Sequence, residues 1–338
     1  MEDMWGVRGR IWAIDIWIKG SIVGIAVAPS FATYASTSSL EWPWVYHLSA
    51  ILLTGVSFLF LWTKESRPSV LLKKKIMAVQ KATGFRDLNY DSPDKVPNFR
   101  TFTRTMLIRP IRLFFMEPIV CAVSVMSAVI CSSIYLQTEG LTIPYEALGY
   151  NERQISLVYF AWIVGLPLTI PLRLVDWRIL SGRIRKRQPI RPEDKTTGFF
   201  VAAPVLAVAL WWFAWTIPPY AENISPFVSI MALVFVGACM NEFDGLLQGY
   251  LADAYEMYAA SANAPLAVPR GILSGSFPIF AKQMFSGLRS NRAASILAAV
   301  ATVFCGVAVW FWMYGEATRE ASPVAVSLEG HEEDEGAS

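Results

Sequence analysis

Residues 42–63 read WPWVYHLSAILLTGVSFLFLWT, without a single Lys, Arg, Asp or Glu. A helix needs about 20 consecutive apolar residues to cross a hydrocarbon core, so this segment is long enough to span a bilayer. Upstream, residues 14–36 repeat the pattern, uncharged from Gly20 to Leu40. Downstream come 118–138, 154–172, 196–220, 226–249, 262–284 and 293–314. Pro204 lies inside the fifth stretch, Glu242 and Asp244 interrupt the sixth, and Arg270 sits inside the seventh. Helices satisfy every backbone N–H and C=O within one segment, as a bilayer core requires. A membrane barrel needs ten-residue alternating strands, and these runs do not alternate. The expected fold is all-α, a polytopic membrane protein of about eight transmembrane helices.

Composition agrees. Of 338 residues, 54% are hydrophobic and only 17% charged, against about a quarter charged in a soluble domain. Mean hydropathy is +0.40. A net charge of +2 argues against a nucleic-acid partner. Only His47 and His331 are present, which excludes a histidine-box oxygenase or a His-rich metal centre. With no Gly-x-Ser-x-Gly elbow in a span and no pair of aspartates on facing helices, no enzyme, cofactor or metal is expected. The sequence leaves the identity of any substrate open.

Basic residues orient the chain. Of its 29 Lys and Arg, 24 fall in connections on one side, four (Arg153, Lys282, Arg289, Arg292) on the other, and Arg270 within a span. Positive charge stays on the cytoplasmic side, so both termini are expected in the cytoplasm and the plasma membrane is the expected location. The start MEDMWGVRGR carries no signal-peptide cleavage pattern, and the first span is expected to act as its own insertion signal. Cys121, Cys131, Cys239 and Cys305 all lie in apolar spans and read as buried thiols.

Four regions follow. Residues 1–63 hold two spans, 64–115 form a basic cytoplasmic loop, 116–315 hold six spans, and 316–338 form an acidic tail that reads as disordered. Within the loop, VLLKKKIMAVQKA (70–82) suits an amphipathic helix on anionic lipid, and DLNYDSPDKVPN (87–98) is turn-rich. Gly20/Gly24, Gly245/Gly249 and Gly271/Gly275 have the spacing that lets helix backbones approach. Pro265, Pro269 and Pro278 should bend or break the seventh span.

Charges inside a bilayer cost about 2.5–3.5 kcal/mol each on insertion scales and are functional suspects. Arg270 either snorkels to the cytoplasmic face or serves substrate or gating, with Asp253, Glu242 and Asp244 as candidate partners. Asn241, Asp244 and Gln248, at i, i+3 and i+7, share one helix stripe, and Glu242 lies about 100° around from Asn241. The stripe faces a neighbouring helix or a water-filled cavity, where a carboxylate could bind and release a proton; otherwise Glu242 and Asp244 are a hydrated helix end. Asp15 and Lys19 form a neutralising i, i+4 pair. Asn223-Ile-Ser225 is a glycosylation sequon, placed outside by the topology.

The segments RPIRLFFMEPIV (109–120), RPEDKTTGFF (191–200), FAWT (213–216) and YLADAYEMYAASANA (250–264) resemble the major facilitator superfamily. Arg270, FPIF (277–280) and YGEATREAS (314–322) continue the likeness, which falls in the fungal drug:proton antiporter-like branch of polyamine, multidrug and secondary-metabolite exporters. Residues 1–65 resemble the fifth and sixth helices of that family: DMWGVRGR is similar to the segment leading into helix five, and GSIVGIAVAPSFATY resembles a degraded antiporter signature, with Ala28-Pro29 where Gly-Pro is usual. TKES (63–66) stands in place of Pro-Glu-Thr, and Cys131-Ser132 in place of a common Tyr-Gly. The resemblance implies two six-helix bundles with a path between them. It leaves helices one to four, and the helix-four arginine linked to proton coupling, without a counterpart here. The implied function is proton-coupled efflux of a small organic molecule, with Asn241, Glu242, Asp244, Gln248 and Arg270 lining the path. The alternative is a non-transporting remnant, or a subunit whose partner supplies helices one to four.

Overall fold

The computed structural model describes residues 7–38, 42–64, 68–84, 103, 108–188, 197–220, 224–255 and 259–320. Among these no strand occurs. Helices α1 (Val7–Ser36), α2 (Pro43–Leu61) and α3 (Pro68–Thr83) are followed by α4 (Arg109–Met116), α5 (Pro118–Gly140) and α6 (Thr142–Ala147). Then come α7 (Glu152–Val158), α8 (Phe160–Gly165), α9 (Ile170–Arg185), α10 (Thr197–Trp215), α11 (Pro226–Ala254), α12 (Ala259–Leu288) and α13 (Ser290–Glu320). Proline opens α2, α5 and α11, where its missing N–H costs nothing and its fixed φ suits the first turn. At α7 the Asn151 side chain accepts from Gln154 N at 2.9 Å while Asn151 N donates to Gln154 Oε1 at 3.0 Å, a capping box.

Among the described residues, seven helical spans are long and apolar enough to cross a membrane. They correspond to the expected segments except 262–284, which is helical throughout as α12 but is not among the seven. Its three prolines, Arg270 and Lys282 dilute its apolar character.

One core joins the bundle. α5 packs along α12, α10 packs against both α11 and α13, and α8 crosses α11. α1 lies against α7, α8, α9 and α11, whereas α2 touches α1 and buries none of its own residues. Side-chain bonds tie the helices together: Tyr145 Oη to Ser229 Oγ at 2.9 Å, Ser30 Oγ donating to Ser156 O at 2.8 Å, and Trp211 Nε1 donating to Thr302 Oγ1 at 3.1 Å.

Three expectations need correction. The interrupted span is the fourth. It runs as α7, α8, a 3-10 turn at Leu166–Thr169 and α9 to Arg185, well past residue 172. Pro167 and Pro171 each remove a backbone donor there. Second, of the bend or break expected in the seventh span, the break does not occur: α12 carries its three prolines in one continuous helix. Third, the close helix approaches use other glycines. A Cβ at Gly20, Gly24, Gly249, Gly271 or Gly275 would meet nothing within 4 Å, and one at Gly245 would meet only Ile18 Cδ1 at 2.7 Å. A Cβ at Gly165 would collide with the Val234 carbonyl oxygen, and one at Gly237 would stand 2.5 Å from Trp162 Cα. These two glycines make the α8–α11 crossing.

The basic stretch 70–82 is helical, as α3. Asn223, the turn-rich 87–98 segment and residues 321–338 of the tail lie outside the described residues.

Candidate functional site

Two features occupy the interface of α1 with the rest of the bundle. The first is a cluster of buried charges. The turn at Leu166–Thr169 sets the register of α9, so Arg173 and Asp176, one helical turn apart, both face inward at 8% and 0% exposure. Arg173 Nη2 donates to Glu242 Oε2 on α11, and Arg173 Nη1 lies 3.3 Å from Asp176 Oδ2. Glu242 is 2% exposed. Gly198 on α10 makes room for the pair, since a Cβ there would fall onto Glu242 Oε2 and within 2.7 Å of Arg173 Nη2. Asp15, buried on α1, is within electrostatic range of Glu242 and pairs with Lys19 at 2.5 Å. Among the described residues the region therefore holds three carboxyls, Asp15, Asp176 and Glu242, against two cations, Lys19 and Arg173. A carboxyl in excess of its cations in a low-dielectric interior is suited to carrying a proton.

The second feature is a cavity of about 300 Å³ between α1, α5, α11 and α12. From α1 it is lined by Trp17, Ile18, Ser21, Ile22 and Ile25, and from α5 by Ile130, Cys131, Ile134 and Tyr135. Met240 of α11 and Arg270, Gly271 and Ser274 of α12 complete it. Ser274 Oγ stands 3.4 Å from Ser132 Oγ, joining α12 to α5.

The expected site residues divide between these features. Arg270 lines the cavity and is half-buried. Glu242, about 160° around α11 from cavity-lining Met240 at 100° per residue, belongs to the charge cluster, where Arg173 is its partner. Asn241 is buried, with Oδ1 lacking a hydrogen-bond partner among the described residues. Gln248 is half-buried. The side chains of Asp244 and Asp253 lie outside the described residues. All four cysteines are free thiols, Cys131 facing the cavity. Among the described residues no cluster of His, Cys, Asp and Glu could hold a metal.

Sequence reasoning missed Arg173 and Asp176, assigning both to a cytoplasmic connection. Opposite charges at i, i+3 just after Pro171 were the available signal that the helix continued inward. Glu117 was missed as well. It is 1% exposed in the extended link between α4 and α5, and its Oε2 accepts from Tyr255 Oη at 3.1 Å.

The profile of the Major Facilitator Superfamily matches residues 3–264. The chain is 28% identical to Efflux pump radE of Floropilus chiversii, an alignment covering 97% of this chain and 61% of that protein. It is 27% identical to the Citrinin biosynthesis cluster MFS transporter mrr1 of Monascus ruber, with 95% and 64% covered. To the Multidrug transporter TPO1_2 of Candida glabrata it is 28% identical, with 96% and 56% covered. The chain thus spans between 56% and 64% of the length of these three relatives. No solved structure matches it.

Proposed function

Since the chain belongs to the Major Facilitator Superfamily, we propose that it is a secondary active carrier that exports a small organic molecule in exchange for protons. The relatives named as efflux pumps and a multidrug transporter support the direction. The observation that carries proton coupling is the excess carboxyl of the buried cluster around Arg173 and Glu242. Arg173 moves between two acceptors, Glu242 and Asp176, and whichever carboxyl it releases takes up a proton. Glu242 bridges this cluster and α11, the helix that also walls the cavity, so protonation and cavity shape are linked through one rigid element. Asn241, Asp244 and Gln248 complete the polar lining of that helix. Arg270 contacts the carried molecule.

In this reading the protein is a multi-pass carrier of the plasma membrane, with both termini in the cytoplasm and Asn223 on the outer face. It is no enzyme, and its partners are its substrate, protons and the bilayer. The test is flux in vesicles holding the purified chain alone. Under an imposed pH gradient they should accumulate at least one labelled compound from a panel of drugs, polyamines and secondary metabolites. Collapsing the gradient should abolish the accumulation.

A second reading is favoured by one observation: α2 buries none of its residues in this chain and presents Ile51, Leu52, Leu53 and Phe58 outward. That surface suits lipid or further helices supplied by a partner. On this reading the chain alone carries nothing, and pH-driven flux by the purified chain removes it.

A further inference from the structure

The helix that follows the second span belongs neither to the cavity nor to the charge cluster. α3 carries Lys73, Lys74, Lys75 and Lys81 and no acidic residue from Pro68 to Thr83. At 100° per residue, Leu71, Leu72, Ile76, Ala78, Val79 and Ala82 fall within an arc of about 160°. Lys73, Lys74 and Lys81 occupy the opposite side. Lys75 falls inside the apolar arc, where its flexible stem can carry the ammonium out to a polar layer. All four lysines are exposed, and so are Leu71, Leu72 and Val79. Among the described residues none of these lysines has a carboxylate partner. We propose that α3 lies in the headgroup layer of the cytoplasmic leaflet as a binding site for anionic phospholipid, its lysines on the headgroups and its apolar arc against the acyl boundary.

Reach and chemistry both select that partner. The chain from Leu61, the last residue of α2, to Pro68 extends at most about 25 Å, so α3 starts beside the end of a span. The far end of the same connection repeats the combination of apolar and basic groups. α4 buries Pro110 and Leu113 against the bundle and, on its other side, exposes Ile108, Ile111 and Phe115 next to Arg112. A soluble polyanion would neutralise the lysines of α3 but leave Leu72 and Val79 in water. A wholly apolar partner would strand the lysines. A bilayer with acidic headgroups takes both faces at once. It would also stabilise the helix, since one of this length is marginal in water by itself.

Nanodiscs holding the purified full chain test this, made of phosphatidylcholine alone or with phosphatidylserine added. A nitrobenzoxadiazole dye on Leu72→Cys reports contact with lipid, and the chain without that cysteine gives the background from the native thiols. A lipid bearing a nitroxide just below its headgroup should quench the dye at least about twofold more strongly in the phosphatidylserine discs. Salt at about 1 M, where the Debye length shrinks to about 3 Å, should remove the difference. Lys73→Gln/Lys74→Gln/Lys75→Gln keeps helix propensity and should raise the phosphatidylserine fraction needed for half-maximal quenching at least about threefold. Val79→Gln, which interrupts the apolar arc, should weaken the quenching with all four lysines in place. Equal quenching in both kinds of disc, or quenching in neither, would overturn the assignment. So would a dye signal that ignores lipid charge and changes only when Glu329, Glu332, Glu333, Asp334 and Glu335 are replaced by their amides, which would make the acidic tail the occupant. A nanodisc offers the same lipid on both faces, so the result does not depend on which side is cytoplasmic. Lipid-dependent quenching in a chain without pH-driven flux would remove the carrier reading and leave this site standing. Flux by a chain whose dye ignores lipid charge would do the reverse.

Discussion

Arg173 neutralises two carboxyls that have almost no access to water, Asp176 at 0% and Glu242 at 2% exposure. Removing one partner of a buried ion pair leaves an uncompensated charge, a cost of about 3–5 kcal/mol. Arg173→Gln should therefore lower the unfolding midpoint in detergent sharply, and Glu242→Gln alone less so. The double variant Arg173→Gln/Glu242→Gln should recover much of the loss, a coupling that a double-mutant cycle reads directly. Independent, additive losses would show that the two side chains do not act as a pair. The sequence made Glu242 visible because a carboxylate inside an apolar run stands out. Arg173 stood at the edge of such a run, where hydropathy reads transfer into lipid and is blind to an acid on another helix. The same blindness hid Glu117, whose partner Tyr255 is far along the chain. Arg270 was legible as an intramembrane charge, but its place among the apolar residues of a cavity depended on how α1, α5 and α12 pack.

At the level of helices, length and hydropathy were enough to find the spans and most of their starts, since proline marks so many of them. Which glycines matter was not legible, because four-residue spacing says only that two glycines share a face. It does not say what that face meets. Gly165→Ala should destabilise the protein by about 1–3 kcal/mol, since its Cβ would press on a backbone carbonyl that cannot swing aside. Gly24→Ala, with open space around it, should be neutral or gain up to about 1 kcal/mol from helix propensity. Thermal unfolding of the two variants in one detergent compares them, and equal effects would contradict the crossing described for α8 and α11. Prolines misled in a related way. Each removes a single hydrogen bond, and those of α12 are carried by a helix packed along α5. Pro167 falls where α8 is already pressed against α11, and the chain there relaxes into a 3-10 turn.

Across the whole molecule, the asymmetry of basic residues gives a sidedness that a reporter can check. Tags fused at residues 1 and 338 should both be accessible from the cytoplasm, and a tag inserted beside Arg153 only from outside. Termini reporting from opposite faces would contradict the arrangement of spans. The outward face of α2 offers a second check. Leu53→Lys places a charge on a surface that no described residue covers, at a cost of about 2.5–3.5 kcal/mol if lipid lies there. The fraction of chains inserted should fall, and undiminished insertion would mean that α2 faces water.

Glu242 joins the ion-pair cluster to α11 and is the proton carrier of the proposed function, so its substitution tests that proposal most directly. Vesicles containing the purified chain and an internal pH dye should show proton movement when a carried compound is added outside. In Glu242→Gln vesicles that proton signal should vanish, with exchange of labelled for unlabelled compound continuing. Proton movement of equal size in both would contradict the assignment of the buried carboxyl as the proton carrier.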